Sequence, residues 1–91
     1  MSMIARRFKI SGKVQGVGFR YFVLEHAGKL GIKGTVRNLE DGAVLVEAEG
    51  NPEMMDEFFS YCSKGPYWSN VDKISNESIP FQGYSDFKIV R

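Results

Sequence analysis

Cysteine is almost missing from this sequence: Cys62 stands alone, so no intramolecular disulfide can close and a reducing, cytoplasmic setting is expected. Histidine is just as scarce, with His26 the single example. Without a His/Cys cluster, neither a metal nor any other cofactor is expected. Like charges never run beyond two residues, and twelve basic against eleven acidic side chains leave a net charge of +1. Broad electrostatic capture of nucleic acid or of a membrane surface is therefore not expected. Met1 to Arg7 holds no apolar stretch of the kind a secretion signal needs, and no apolar run approaches a membrane span. Repeats, linkers and low-complexity segments are also missing.

What is present suffices for one core. Ninety-one residues, 43% of them hydrophobic and including seven Phe, four Tyr and one Trp, suit a single domain covering 1–91. Period-2 alternation in ARRFKIS, Ala5 to Ser11, predicts a half-buried strand. Phe19, Phe22, Val23, Ala27 and Leu30 then recur at helical spacing, and Gly31 stands where a helix ends, so a helix is expected from Arg20 to Leu30. IKGTVRN and AVLVEAE alternate again around the Asp41-Gly42 turn signal and predict a hairpin. Asn51 as N-cap, Pro52 at the first helical position and the stripe Met54, Met55, Phe58, Phe59, Cys62 predict a second helix, stopped at Lys64-Gly65-Pro66. WSNVDKIS reads as a fourth strand, PFQGY as a loop and DFKIV as a short C-terminal strand. The order β-α-β-β-α-β predicts an α+β, ferredoxin-like split β-α-β sandwich: an antiparallel sheet with two helices on one face.

The stretch GKVQGVGFRYF, Gly12 to Phe22, lies between the first strand and the first helix. Its glycines accept positive φ, so successive backbone N–H groups between Gln15 and Arg20 can converge on one point. The helix that follows adds unpaired N–H donors and the positive end of its dipole. Arg20, in the first turn, offers a planar fork suited to phosphoryl oxygens. A small tetrahedral anion, phosphate above all, fits this arrangement. The same glycines would equally serve to turn a strand tightly into a helix, with Arg20 merely solvated. The pattern is neither the dinucleotide fingerprint nor a Walker loop.

Asn38 follows Ile32, Gly34 and Val36 onto the apolar face of its strand, where an amide needs a partner; capping the turn before Glu40-Asp41-Gly42 is its plainer role. His26 is expected on the exposed side of its helix and Cys62 in the core. Tyr67, Trp68 and Phe81 are expected to serve packing.

GKVQGVGFR, Gly12 to Arg20, followed by GTVRNLEDGAVLVEAEG, Gly34 to Gly50, resembles the acylphosphatases, and GPYWSNV and the terminal FKIV look like that family's later landmarks. The resemblance spans nearly the whole chain. It implies a hydrolase of acyl phosphates, a monomer acting on a small molecule, with no cofactor and no nucleic-acid or membrane partner. It also implies site residues: the loop Gln15, Gly16, Val17, Gly18, Phe19 would wrap a phosphate, Arg20 would be the phosphate-binding catalytic arginine, and Asn38 would orient the attacking water. Two positions depart from the pattern, Thr35 where an aromatic is usual and Tyr67 for the second of two prolines. Neither belongs to the implied chemistry.

Two other functional classes fit part of the sequence. GVGFRYF echoes an RNA-recognition signature on the same element order, but stands before the first helix rather than on the third strand where its aromatics would stack bases. An anion-binding regulatory module without turnover would carry the same loop.

Overall fold

The computed structural model describes residues 2–91. The elements are β1 (Ile4–Lys13), α1 (Phe19–Leu30), β2 (Lys33–Asn38), β3 (Val44–Gly50), α2 (Pro52–Lys64), β4 (Asn70–Ser78) and β5 (Phe87–Ile89). They form one five-stranded sheet in the order β4-β1-β3-β2-β5. The first four strands pair antiparallel. β5 adds to the edge of β2 in parallel, which makes the sheet mixed while leaving the α+β, ferredoxin-like plan intact.

Parity sets the two faces. Phe8 and Ile10 of β1, Val36 of β2 and Val44, Val46 and Ala48 of β3 are buried together with Phe19, Val23 and Ala27 of α1 and Met55, Phe58 and Cys62 of α2. Fully burying each large apolar side chain contributes about 1.5–3 kcal/mol, so this layer between sheet and helices outweighs any surface pairing. The opposite face is polar: Arg7 bridges Glu47 at 2.8 Å and Glu77 at 3.1 Å across three strands.

Caps end the helices as expected. Gly31 closes α1 at φ 67, and the Ile32 N–H donates to the Ala27 carbonyl at 2.9 Å. Asn51 Oδ1 accepts from the Met54 N–H at 2.9 Å at the start of α2. Two expectations fail. His26 is not on a free surface; its ring stacks on Tyr61 at 3.9 Å and lies 4.4 Å from Phe22, because α2 covers that side of α1. Tyr67, Trp68 and Phe81 are exposed by 88%, 71% and 58%, since the segments that carry them lie outside the layer between sheet and helices; Tyr67 and Trp68 touch edge to face.

The topology gathers one end of the molecule. β1 ends, β2 ends, β3 begins, β4 begins and β5 ends there, as the registers Ile10 with Val44, Asn38 with Val44 and Lys13 with Asn70 require. The N-terminus of α1 opens at the same end.

Candidate active site

β1 runs on to Lys13, past the expected Ser11, through a register shift between Ser11 and Gly12. Gly12 therefore serves the strand crossing rather than the loop: a Cβ there would sit 2.2 Å from the Asn70 carbonyl oxygen. The loop proper is Val14 to Gly18. Gly16 has φ 73 and Gly18 φ 79, a left-handed conformation that costs other residues roughly 1–2 kcal/mol. A Cβ at either would meet nothing within 4 Å, so the glycines are required by backbone angle, and the space over the loop is open.

Gly18 is also the N-cap of α1, and among the described residues no side chain caps it. The first turn reads Phe19-Arg20-Tyr21-Phe22, without an acidic residue. The Phe22 N–H returns to the Gly18 carbonyl at 3.1 Å, which leaves the earlier N–H groups of the turn as the usual unpaired donors of a helix start. Val14 and Phe19, both 1% exposed, anchor the loop at its two ends. Gly65 lies so close to the Phe19 ring that a Cβ would fall 2.5 Å from Cε2, which fixes where the helix starts.

Arg20 is half-buried and lines a surface cleft with Tyr21, Ile89, Val90 and Arg91. Arg7, Lys9 and Lys29 each have a carboxylate partner, whereas among the described residues none lies within 4.0 Å of the Arg20 guanidinium. Its fork is uncommitted.

Asn38 closes β2 opposite Val44, half-buried. Its Oδ1 is buried, and among the described residues no group donates to it. Such an atom usually has a protein or water donor. Asn38 does not cap its turn through that oxygen; the turn is held otherwise, with Leu39 N–H to the Ala43 carbonyl at 2.8 Å and Ala43 N–H to Asp41 Oδ1 at 3.0 Å. Lys9 pairs with Asp41 at 2.8 Å and holds that carboxyl below its usual range.

The side chain of Gln15 joins loop and turn. Its Nε2 donates to the carbonyls of Leu39 at 2.8 Å and Ala43 at 2.9 Å, so the glycine loop is bound to the residue that follows Asn38. Sequence reasoning assigned Gln15 to the loop but missed this tie; the signal was an amide among glycines and apolar residues. The cleft wall from β5 was missed as well.

A loop with two left-handed glycines, a helix start without a side-chain cap, an arginine without a carboxylate partner and a buried amide oxygen thus lie at one end of a ferredoxin-like sheet. The acylphosphatase family model matches residues 6–89. The chain belongs to the acylphosphatase family. An acylphosphatase of Pseudothermotoga lettingae is 46% identical over 88 residues, covering 97% of this chain and 99% of that one. One from Thermotoga maritima is 42% identical over 87 residues, covering 96% and 97%. The crystal structure of the acylphosphatase from Bacillus subtilis superposes with a TM-score of 0.94 at 36% identity, covering 99% of this chain and 100% of that one. As an acylphosphatase-family member the chain is a hydrolase of the class acting on acid anhydrides. Among the described residues no helix is long and apolar enough to cross a membrane.

Proposed function

We propose that this acylphosphatase-family chain, working as one domain over 1–91, a cytoplasmic monomer with no nucleic-acid or membrane partner, hydrolyses small acyl phosphates to carboxylate and orthophosphate without a metal ion or other cofactor. The phosphoryl group is held by backbone N–H groups of Gln15, Gly16, Val17, Gly18 and Phe19 and by the fork of Arg20. Water accepted between the phosphorus and Asn38 attacks in line. One water O–H donates to Asn38 Oδ1, the water oxygen bonds to phosphorus, and the bond from phosphorus to the acyl oxygen breaks with its electron pair leaving on the carboxylate. The other water proton moves to a phosphoryl oxygen, because an amide cannot take it. A dianionic substrate thus gives a carboxylate and dihydrogen phosphate.

No general acid is needed, since the leaving carboxylate has a conjugate acid of pKa near ~4. Charge on the equatorial oxygens is met by Arg20 and the loop N–H groups, donors already in place before the reaction. The observation that carries this reading is the buried Oδ1 of Asn38, to which no described residue donates, with the loop tied to the next residue by Gln15. A residue present only to shape the turn would spend this oxygen on the turn's own N–H groups, which are satisfied by other partners.

The test is turnover of benzoyl phosphate, followed by loss of its ultraviolet absorbance, with orthophosphate as inhibitor and with EDTA present. Turnover that EDTA leaves unchanged and phosphate inhibits competitively is expected. Activity lost in EDTA and restored by a divalent ion overturns the metal-free chemistry, and tight phosphate binding without turnover favours a regulatory module.

A further inference from the structure

Among the described residues Glu49 is the one charged side chain of the buried set, 1% exposed on the sheet face opposite the helices. Its carboxylate is met by backbone N–H groups of the segment joining β4 to β5. The Gly83 N–H donates to Oε1 at 3.0 Å and Oε2 at 3.2 Å, the Tyr84 N–H to Oε1 at 2.9 Å, and the Gln82 N–H to Oε2. Gly83 has φ 79, which turns these donors inward. A carboxylate collecting three backbone donors is an anion nest closed within the chain.

The segment it holds has a demanding path. β4 and β5 lie at opposite edges, four strand spacings apart, or about 19 Å at ~4.8 Å each. Residues 79–86 reach at most about 29 Å when fully extended, so the crossing segment must stay largely extended. On the way the Ile79 N–H binds the Ala5 carbonyl at 3.2 Å. At the far side β5 is three residues long and pairs with β2 on one side. Such a strand holds few ladder bonds of its own, and two more flank it, Gly34 N–H to the Asp86 carbonyl and Val90 N–H to the Val36 carbonyl, each 2.9 Å. Its end, Ile89, and the Val90 that follows line the cleft in which Arg20 stands.

We propose that Glu49 is a positioning residue: its carboxylate latches the crossing segment, the latch holds β5 on the edge of β2, and β5 holds Arg20 ready for phosphate from the opposite end of the sheet. The kinetic half of this inference rests on the reading of Arg20 as a phosphate ligand; the latch itself does not. Glu49→Gln keeps the shape but loses the charge that gathers three donors, leaving an amide nitrogen facing N–H groups. Gly83→Ala strains the other half of the latch through φ alone, its Cβ meeting only the Phe81 ring at 3.9 Å.

Both variants are tested by native-state hydrogen exchange and by benzoyl phosphate kinetics. Amides of Gln82, Gly83, Tyr84, Gly34 and Val90 should exchange at least about ten-fold faster, with the β1 and β3 amides near their original protection, the pattern of a local opening. KM and the phosphate inhibition constant should rise together several-fold, with kcat within about two-fold. Uniform loss of protection, or kcat falling with the folded fraction at constant KM, makes Glu49 a plain stability residue and overturns the proposal, as does unchanged exchange in both variants. Absence of turnover in the unaltered chain instead sinks the functional reading, and the exchange pattern then decides the latch.

Discussion

Replacing Asn38 by alanine separates chemistry from folding, because the structure assigns the two roles opposite consequences. The backbone of Asn38 stays paired with Val44 whatever side chain it carries. The turn keeps its bonds through Leu39, Asp41, Ala43 and Gln15. Among the described residues none donates to the side chain's buried Oδ1, so removing it breaks no hydrogen bond of the fold. Alanine loses some half-buried volume and no bond within the fold, so the net change in stability should stay within about 1 kcal/mol. For a domain stable by about 5–15 kcal/mol, such a change moves the folded fraction by well under about one per cent. Turnover, by contrast, loses the group proposed to orient the nucleophile, which by analogy with one preorganised donor is worth roughly 10²–10³-fold in kcat. The phosphate inhibition constant should stay within a few-fold, since the ground-state anion does not need the water. The assay pairs urea melts by circular dichroism with benzoyl phosphate turnover. If Asn38→Ala lost activity only in proportion to lost folded protein, or melted several kcal/mol earlier at unchanged specific activity, the reasoning would fail.

Other predictions concern backbone and pH. Gly16→Ala and Gly18→Ala strain φ in open space and should cost about 1–2 kcal/mol each while raising the phosphate inhibition constant. Gly34→Ala drives a Cβ to 1.9 Å from the Glu47 carbonyl oxygen, so it should unfold the chain or destabilise it well beyond the loop variants in urea melts. His26 is held below its ordinary value of 6.5, first by burial and then by Lys29, with Glu25 acting the other way. A depressed folded value means that the stability it contributes is complete above the unfolded value and lost as pH falls through the folded one. Urea midpoints should therefore drop from about pH 7 to about pH 5 in the wild type, and drop less in His26→Phe; equal drops would exclude His26 as the cause.

Strands β1 to β3 and both helices were legible because each depends on its own period and caps: Phe8 and Ile10 alternate, Phe58 and Cys62 share a stripe, and Gly31 and Asn51 stop and start helices by local geometry. The loop was legible for a similar reason, since only glycine takes φ near +75 without strain. What escaped depends on chain segments far apart in sequence. The tie from Gln15 to Leu39 and Ala43, the nest that Glu49 shares with Gln82 to Tyr84, and the stacking of His26 on Tyr61 join residues from different elements. Periodicity reports which face a residue occupies, and says nothing of what arrives to cover it. Tyr67 and Trp68 show the converse: aromatic character suggested packing, yet the turn between α2 and β4 lies outside that packed layer.

The central claim is that Arg20 and the loop bind the phosphoryl group, and the inhibition constant of orthophosphate in Arg20→Gln tests it most directly, read beside turnover of benzoyl phosphate. A charge-assisted bond to phosphate is worth about 1.5–3 kcal/mol, so phosphate affinity should fall by at least about ten-fold in a variant that melts like the wild type, with turnover lost more steeply. Arg20→Lys should recover little of either, because a point charge does not replace the fork. Unchanged phosphate inhibition and unchanged turnover in folded Arg20→Gln would contradict the account and leave the glycine loop as a strand-to-helix connection only.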